Sequence, residues 1–194
     1  MARVGMADLI QQLRVATNAG SDDTTVAGKT YWSDDHLQSE LDRYQTYYRA
    51  VALEALPVNN SGTLQYFDYL IPERIGKYIE QNATGSGWAV KDSVGNSIGT
   101  ALYTVNYDAR RVTFASTTGG SALYLDARAY ALNRAAANVW RRKAAMVAQQ
   151  IDWSADNHDI KASQEYANCM EMAAFYESQG GIQVGWLTRQ DENF

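Results

Sequence analysis

Residues 62–127 constrain the fold more than any other part of the chain, because short runs of β-branched and aromatic residues alternate there with glycine-bearing breaks. The runs TLQYFDYLI, GWAVKD, SIGTALYTVNY, RRVTFAS and ALYLDA have strand composition, and RIGKYIEQ reads as a further strand broken by Gly76. Between them stand SGT, NATGSG, SVGN and TTGG, whose glycine, asparagine and serine residues supply what hairpin turns require. The expectation is an antiparallel meander of five or six strands. Its clearest hairpin is ALYTVNYDARRVTFAS, residues 101–116, with the connection at Asp108-Ala109.

On both sides of this region the texture is helical. MADLIQQLRVA places Leu9, Ile10, Leu13 and Ala16 on one side of a short helix, and TNAGSDDTTVAGKT follows as a run of turn formers. Ser33 is positioned to cap a second helix, with Asp34 and Asp35 in its first turn and Trp32 ahead of the cap. Leu37, Leu41, Tyr44, Tyr48, Val51 and Ala55 continue at helical spacing toward Pro57, which ends the pattern. After residue 127 the alanine-rich RAYALNRAAANVWRRKAAMVAQQIDW predicts the longest helix, with Leu132, Ala136, Val139 and Val147 on its packing stripe. A last helix is expected over IKASQEYANCMEMAAFYES, with Ile160, Ala167, Met170 and Ala174 on one face and Gly180-Gly181 as its stop.

A chain of 194 residues buries roughly two thirds of its unfolded surface, enough for one core plus an insertion. The pattern therefore predicts an α+β fold, a small helical bundle with an inserted antiparallel β-sheet meander. Its parts are N-terminal helices at 1–56, the β insertion at 57–127, completing helices at 128–179 and an extended arm at 180–194. The arm carries Ile182, Val184, Trp186 and Leu187, an apolar set on a detached tail that invites a partner. The opening lacks the pattern of a signal peptide and no stretch holds 18 apolar residues, so neither a secretion address nor a membrane span is expected.

Charge is unevenly placed. Residues 1–55 carry −3, 56–127 carry −1, 128–150 carry +5 and 151–194 carry −6, for a net −5. The basic helix and the acidic segment after it either neutralise one another within one fold or meet complementary surfaces on neighbouring subunits. The basic residues outside that helix are too scattered for a broad nucleic-acid-binding face.

Motifs for chemistry are few. The single cysteine, Cys169, has the sequence surroundings of a buried helix face. His36 stands beside Asp34 and Asp35, and His158 beside Asp159, a formal set of metal ligands without the spacing of a known motif. GKT at 28–30 lacks the upstream glycine of a phosphate loop, and the GSG at 85–87 precedes a strand instead of a helix. Glu73 and Glu80 are a nominal carboxylate pair for glycoside hydrolysis, with solvent-facing positions on a sheet expected for both. Trp88, Tyr103, Tyr107 and Phe114 are aromatic candidates for a glycan platform or, more cheaply, for core packing.

The order of elements carries more. With WSDDHLQSELDRY after the first helix, then YTVNYDARRVTF, then LDARAYALNRAAANVWRRKAA, the chain resembles the head-tail connector, or adaptor, proteins of tailed bacteriophages that hold a β-rich insertion in a small helical bundle. The resemblance covers most of residues 6–178. One departure is the turn between the central strands, where related chains have glycine and this one has Asp108-Ala109-Arg110-Arg111. Either a longer turn or one that keeps φ negative is expected there.

The resemblance implies a non-enzymatic ring without cofactor or metal, dodecameric, in the neck of a virion assembled in the host cytoplasm. It would sit between the portal protein and a stopper or tail-completion protein, with double-stranded DNA passing through its lumen. By the same analogy Ile182, Val184, Trp186 and Leu187 dock onto the portal. Arg134, Arg141, Arg142 and Lys143 on the basic helix are the candidate contacts between subunits.

Overall fold

The chain enters as helix. In the computed structural model, which describes residues 2–20, 25–26, 29–83, 86–148, 153–155, 158–160 and 162–180, a 3-10 turn at Val4–Met6 runs into α1, Ala7–Thr17. Leu9, Ile10 and Leu13 form its buried stripe, as their spacing predicts. Asn18 closes the helix in the left-handed conformation (φ 49°), with Ala19 N–H donating to the Arg14 carbonyl at 3.0 Å. Within the run of turn formers, β1, Thr25–Val26, pairs antiparallel with β2, Lys29–Thr30. α2, Asp34–Asp42, begins at its predicted cap: Ser33 Oγ accepts the His36 N–H at 3.3 Å, and Trp32 is fully buried.

Seven strands follow. They are β3, Gln45–Ala52; β4, Glu54–Asn60; β5, Thr63–Leu70; β6, Ala89–Lys91; β7, Tyr103–Asn106; β8, Arg111–Phe114; and β9, Tyr124–Tyr130. They form two antiparallel sheets, one ordered β3-β9-β6 and the other β4-β5-β8-β7. Val51, Leu125 and Val90 from the first sheet and Tyr69, Val112 and Phe114 from the second belong to one buried core. The fold is α+β, as expected, but strands occupy 45–130 instead of 57–127.

The helix expected to carry Tyr44, Tyr48, Val51 and Ala55 to Pro57 stops at Asp42. A step of four residues suits a strand as well as a helix, because four is also a multiple of two. The odd step from Tyr48 to Val51 comes from a β-bulge. Pairing with β9 shifts between these residues, and Ala50 takes a left-handed conformation (φ 48°), so both side chains reach the same core. Asp126 Oδ1 accepts the Ala50 N–H at 2.7 Å and holds the bulge in place. Pro57 lies inside β4, at the outer edge of its sheet, where a missing N–H is tolerated.

Two further expected strands are altered. RIGKYIEQ holds a 3-10 turn at Glu73–Ile75 and Gly76 at φ 87°, and only Ile79 bridges to β9, opposite Ala129. SIGTALYTVNY begins as a 3-10 turn at Thr100–Leu102 before β7.

α3, Leu132–Val147, starts later than residue 128 because β9 continues through Tyr130, whose N–H donates to Tyr78 O at 2.8 Å. Its predicted stripe of Leu132, Ala136, Val139 and Val147 is buried, and the first three meet Leu13, Leu37, Leu41 and Trp32 from α1 and α2 in a second core. β10, Trp153–Ala155, and β11, His158–Ile160, pair antiparallel, so Trp153, expected at the end of the longest helix, and Ile160, expected on the face of the last one, lie opposite each other in strands, with the expected loop SADNHD between them. α4, Ala162–Gln179, packs on α3 through Ala162, Cys169 and Ala173, while Ala167, Met170 and Ala174, predicted as one face, are exposed. Both sets recur at helical spacing, so composition alone does not choose which side faces α3.

Candidate functional site

The basic helix spends much of its charge within its own chain. Arg142 Nη2 meets Glu40 Oε1 at 2.9 Å, and its Nη1 donates to His36 Nε2 at 3.0 Å. Glu40 is 1% exposed and also accepts from Asn138 Nδ2 at 2.6 Å, so the Arg142 guanidinium compensates a carboxylate inside the helical core. Lys143 Nζ donates to the Asn18 carbonyl at 2.9 Å and lies 5.1 Å from the centre of the Trp140 ring. Arg141 pairs with Glu177 of α4, and Arg134 is exposed beside Gly180. The arm residues Ile182, Val184, Trp186 and Leu187 lie outside the described residues.

A second buried network joins the helices to the sheets. Arg3 pairs with Asp42 at 2.6 Å and with Glu80 at 3.1 Å, and the Tyr130 hydroxyl donates to Glu80 at 3.0 Å. Glu80 is fully buried rather than solvent-facing, and Arg128 approaches it from β9 at 3.4 Å. The Asp42 hydrogen bond raises the Arg3 pKa, while burial and the adjacent Glu80 charge raise that of Tyr130. These groups lock the orientation of the two cores. Each oxygen of the Glu80 and Asp42 carboxylates accepts at least one hydrogen bond, and the groups form a brace.

Beside that brace opens a cleft of about 360 Å³ between α1, residues 77–81 and the β7 end of the second sheet. Its polar lining includes Asp8, Gln12, Lys77, Asn106 and Asp108, and Leu9, Ile79 and Val105 provide apolar wall. Gln81 Nε2 donates to Asp8, and the Tyr107 hydroxyl accepts the Asn82 N–H, so both walls are anchored. Burial raises the Tyr107 pKa, which keeps its hydroxyl protonated. Gly5 permits the wall to approach: a Cβ there would lie 2.6 Å from the Gln81 carbonyl oxygen.

The turn at the rim of the cleft resolves the departure from glycine. It spans Tyr107–Arg110, with Ala109 N–H donating to Asn106 Oδ1 at 2.9 Å. The turn is the longer of the two expected forms, but it does not avoid positive φ, because Arg110 takes φ 53°. Its backbone carbonyl accepts the Ile71 N–H at 2.8 Å, while its Nε and Nη2 are buried without a hydrogen-bond partner.

At the other end of the same sheet the β4–β5 hairpin projects as a two-stranded ribbon. β5 pairs with β8 only from Asp68 to Leu70, whereas β4 and β5 remain paired out to Asn60 and Thr63. Residues 55–67 contain no charged side chain, and Val58 and Leu64 are 52% and 56% exposed. Ser61 (φ 51°) and Gly62 (φ 86°) form the tip, and Asn59 Oδ1 accepts the Gly62 N–H at 2.9 Å. Assigning 34–56 to one helix hides this ribbon. Its sequence signal is Asn-Asn-Ser-Gly between two runs with strand composition.

The alternative chemistries find less support in the geometry. Trp88, Tyr103 and Phe114 are buried between the sheets, and Tyr107 packs against them, so they form core instead of a glycan platform. Among the described residues no group of three histidine, cysteine, aspartate or glutamate side chains could hold a metal ion, and His158 and Asp159 lie where side chains are not described. Among the same residues no helix is long and apolar enough to cross a membrane. The chain matches no family model, no curated protein and no solved structure.

Proposed function

We propose that the chain is a structural head-tail connector of a tailed bacteriophage virion. It assembles as a homo-oligomeric ring between the portal and the stopper or tail-completion protein, and double-stranded DNA passes through the lumen. The observation that carries this reading is the order of elements. α1, α2 and α3 share one core around an insertion of seven strands, the arrangement the resemblance implies.

The exposed faces suit protein contact. The β4–β5 ribbon and the Tyr166, Met170 and Phe175 side chains of α4 leave apolar surface outside both cores. A net charge of −5 limits adhesion to a passing duplex. In this reading Ile182, Val184, Trp186 and Leu187 contact the portal, and exposed Arg134 and Arg141 face a neighbouring subunit more readily than Arg142, which is held by Glu40.

The test is negative-stain imaging of the purified chain, alone and mixed with the portal protein encoded beside it. Rings capping one end of the portal are expected. Bare portal particles with folded, unbound monomers overturn the reading.

A further inference from the structure

Helix α4 is apolar on two adjoining sides and buries one of them. Ala162, Cys169 and Ala173 are buried, whereas Tyr166, Met170 and Ala174, each four residues from the next, form a second stripe in solvent, with Tyr166 41% and Met170 38% exposed. A surface helix keeps one apolar stripe for its core and turns polar side chains outward, so the second stripe calls for a second cover.

The end of α4 fixes where the chain goes on. Asn133 Nδ2, in the first turn of α3, donates to the Gln179 carbonyl at 3.1 Å, and the Gly180 N–H donates to the Glu177 carbonyl at 3.1 Å. Gly180-Gly181 then provides two residues without a Cβ for a reversal of direction. Beyond them Ile182, Val184 and Trp186 alternate with Gln183 and Gly185, the pattern that puts three apolar side chains on one side of an extended run.

We propose that in the chain by itself this arm turns back and lies along the second stripe of α4, with Ile182 beside Ala174, Val184 beside Met170 and Trp186 beside Tyr166. The spacings agree: two residues of extended chain advance roughly 6.6 Å, and four residues of helix rise about 6.0 Å. The contacts therefore stay in step without a break in either element. The covalent link makes the encounter intramolecular, at an effective concentration on the order of millimolar.

Charge selects the arm over a second α4. The helix carries Glu165, Glu171 and Glu177 and no lysine or arginine, so stripe against stripe between two copies brings like charges together. Residues 181–188 are uncharged and bring apolar side chains to an apolar stripe. The contact belongs to the free chain and does not rest on the connector reading; on that reading the portal takes the same side chains, and their departure uncovers α4.

The experiment uses the full chain with Cys169→Ala, which removes the native thiol, carrying Met170→Cys together with Val184→Cys. The control pairs Val184→Cys with Asn168→Cys, which sets the helix thiol at nearly the same height on the other, exposed side of α4. After mild oxidation and blocking of free thiols with a maleimide, intact mass reads the intramolecular disulfide. The Met170→Cys pair is expected to close roughly tenfold faster than the control. Equal rates for the two pairs overturn the proposal, and disulfide-linked dimers in place of the closed monomer overturn it in favour of a second copy.

A second reading needs no cysteine. The chain lacking residues 182–194 is expected to keep its circular dichroism and to bind about twice as much anilinonaphthalene sulfonate, a dye that reports exposed apolar surface, as the full chain. An unchanged dye signal overturns the cover on α4. Both measurements are made without the portal, so their failure is distinct from failure of the ring imaging that tests the connector reading.

Discussion

The helical core and the β4–β5 ribbon solve the problem of polarity in opposite ways. In the helical core, Glu40 is 1% exposed yet ionically paired with Arg142 and hydrogen-bonded to Asn138. In the ribbon, side chains with no charge stand in solvent; at its base the Thr118 N–H donates to the Tyr66 carbonyl, and beyond that each strand of the ribbon pairs with the other. Buried charges with fixed partners specify one arrangement, because any other leaves a carboxylate desolvated and alone. An uncharged ribbon beyond its sheet has little of its own to hold it and much to offer a neighbour, since isolated two-stranded hairpins are marginal in water. The first region is built for rigidity and the second for contact.

The largest effect expected on this contrast is from Arg142→Ala. It strips Glu40 of its closest cation, and removal of one partner of a buried pair costs about 3 kcal/mol. Urea denaturation should show the loss of stability; a change below about 1 kcal/mol, the range of exposed ion pairs, would place Glu40 in a wetter setting than its burial indicates.

Asp126 gives a pH-dependent version. Burial pushes its carboxyl up, but the Lys91 ammonium at 2.7 Å and the Ala50 N–H more than offset this and hold it below its ordinary value of 3.8. A carboxyl with a depressed folded pKa contributes stability above its unfolded pKa and loses it as pH falls through the folded one. Asp126→Asn should therefore destabilise by about 1 to 2 kcal/mol at pH 7 and flatten the acid limb below pH 3.8. Denaturation midpoints of both proteins across pH 2 to 7, roughly the window set by linkage, measure it.

Arg110→Gly tests the strained rim. Glycine accepts φ 53° without a Cβ penalty and removes two buried nitrogens that have no partner. A gain of about 1 kcal/mol is expected. A loss would show that the Arg110 side chain contributes more by packing than it costs in strain.

The smallest effect on stability is expected in the ribbon. Val58→Thr with Leu64→Thr alters only exposed positions and should change unfolding free energy by no more than about 0.5 kcal/mol. Sedimentation velocity of the same variant reads the other half of the comparison. Reduced association with unchanged stability separates contact surface from core, whereas a clear loss of stability would join the ribbon to the folding unit.

Much of this arrangement is legible in local chemistry. The Ser33 cap, the Leu9, Ile10 and Leu13 stripe and the Leu132, Ala136 and Val139 stripe follow from periodicity and capping, because each depends on neighbours within a few residues. The strand nature of 45–60 does not. There the bulge at Ala50 converts strand alternation into a spacing that imitates a helix, and the Ala50 N–H it frees finds its acceptor in Asp126, far along the chain. The charge of the basic helix is readable by counting, but its use is not, since pairing Arg142 with Glu40 requires two helices to meet.

By itself, then, the order of residues determined the class of the fold, the existence of the capped helices and the presence of a turn-rich β insertion, all of which rest on short-range propensity and periodicity. The division of seven strands into two sheets, the burial of Glu40 and Glu80, and the placement of cleft and ribbon at opposite ends of one sheet were decided by tertiary structure. These depend on pairings between distant segments, whose hydrogen-bond partners and desolvation energies come into being only when the chain is folded.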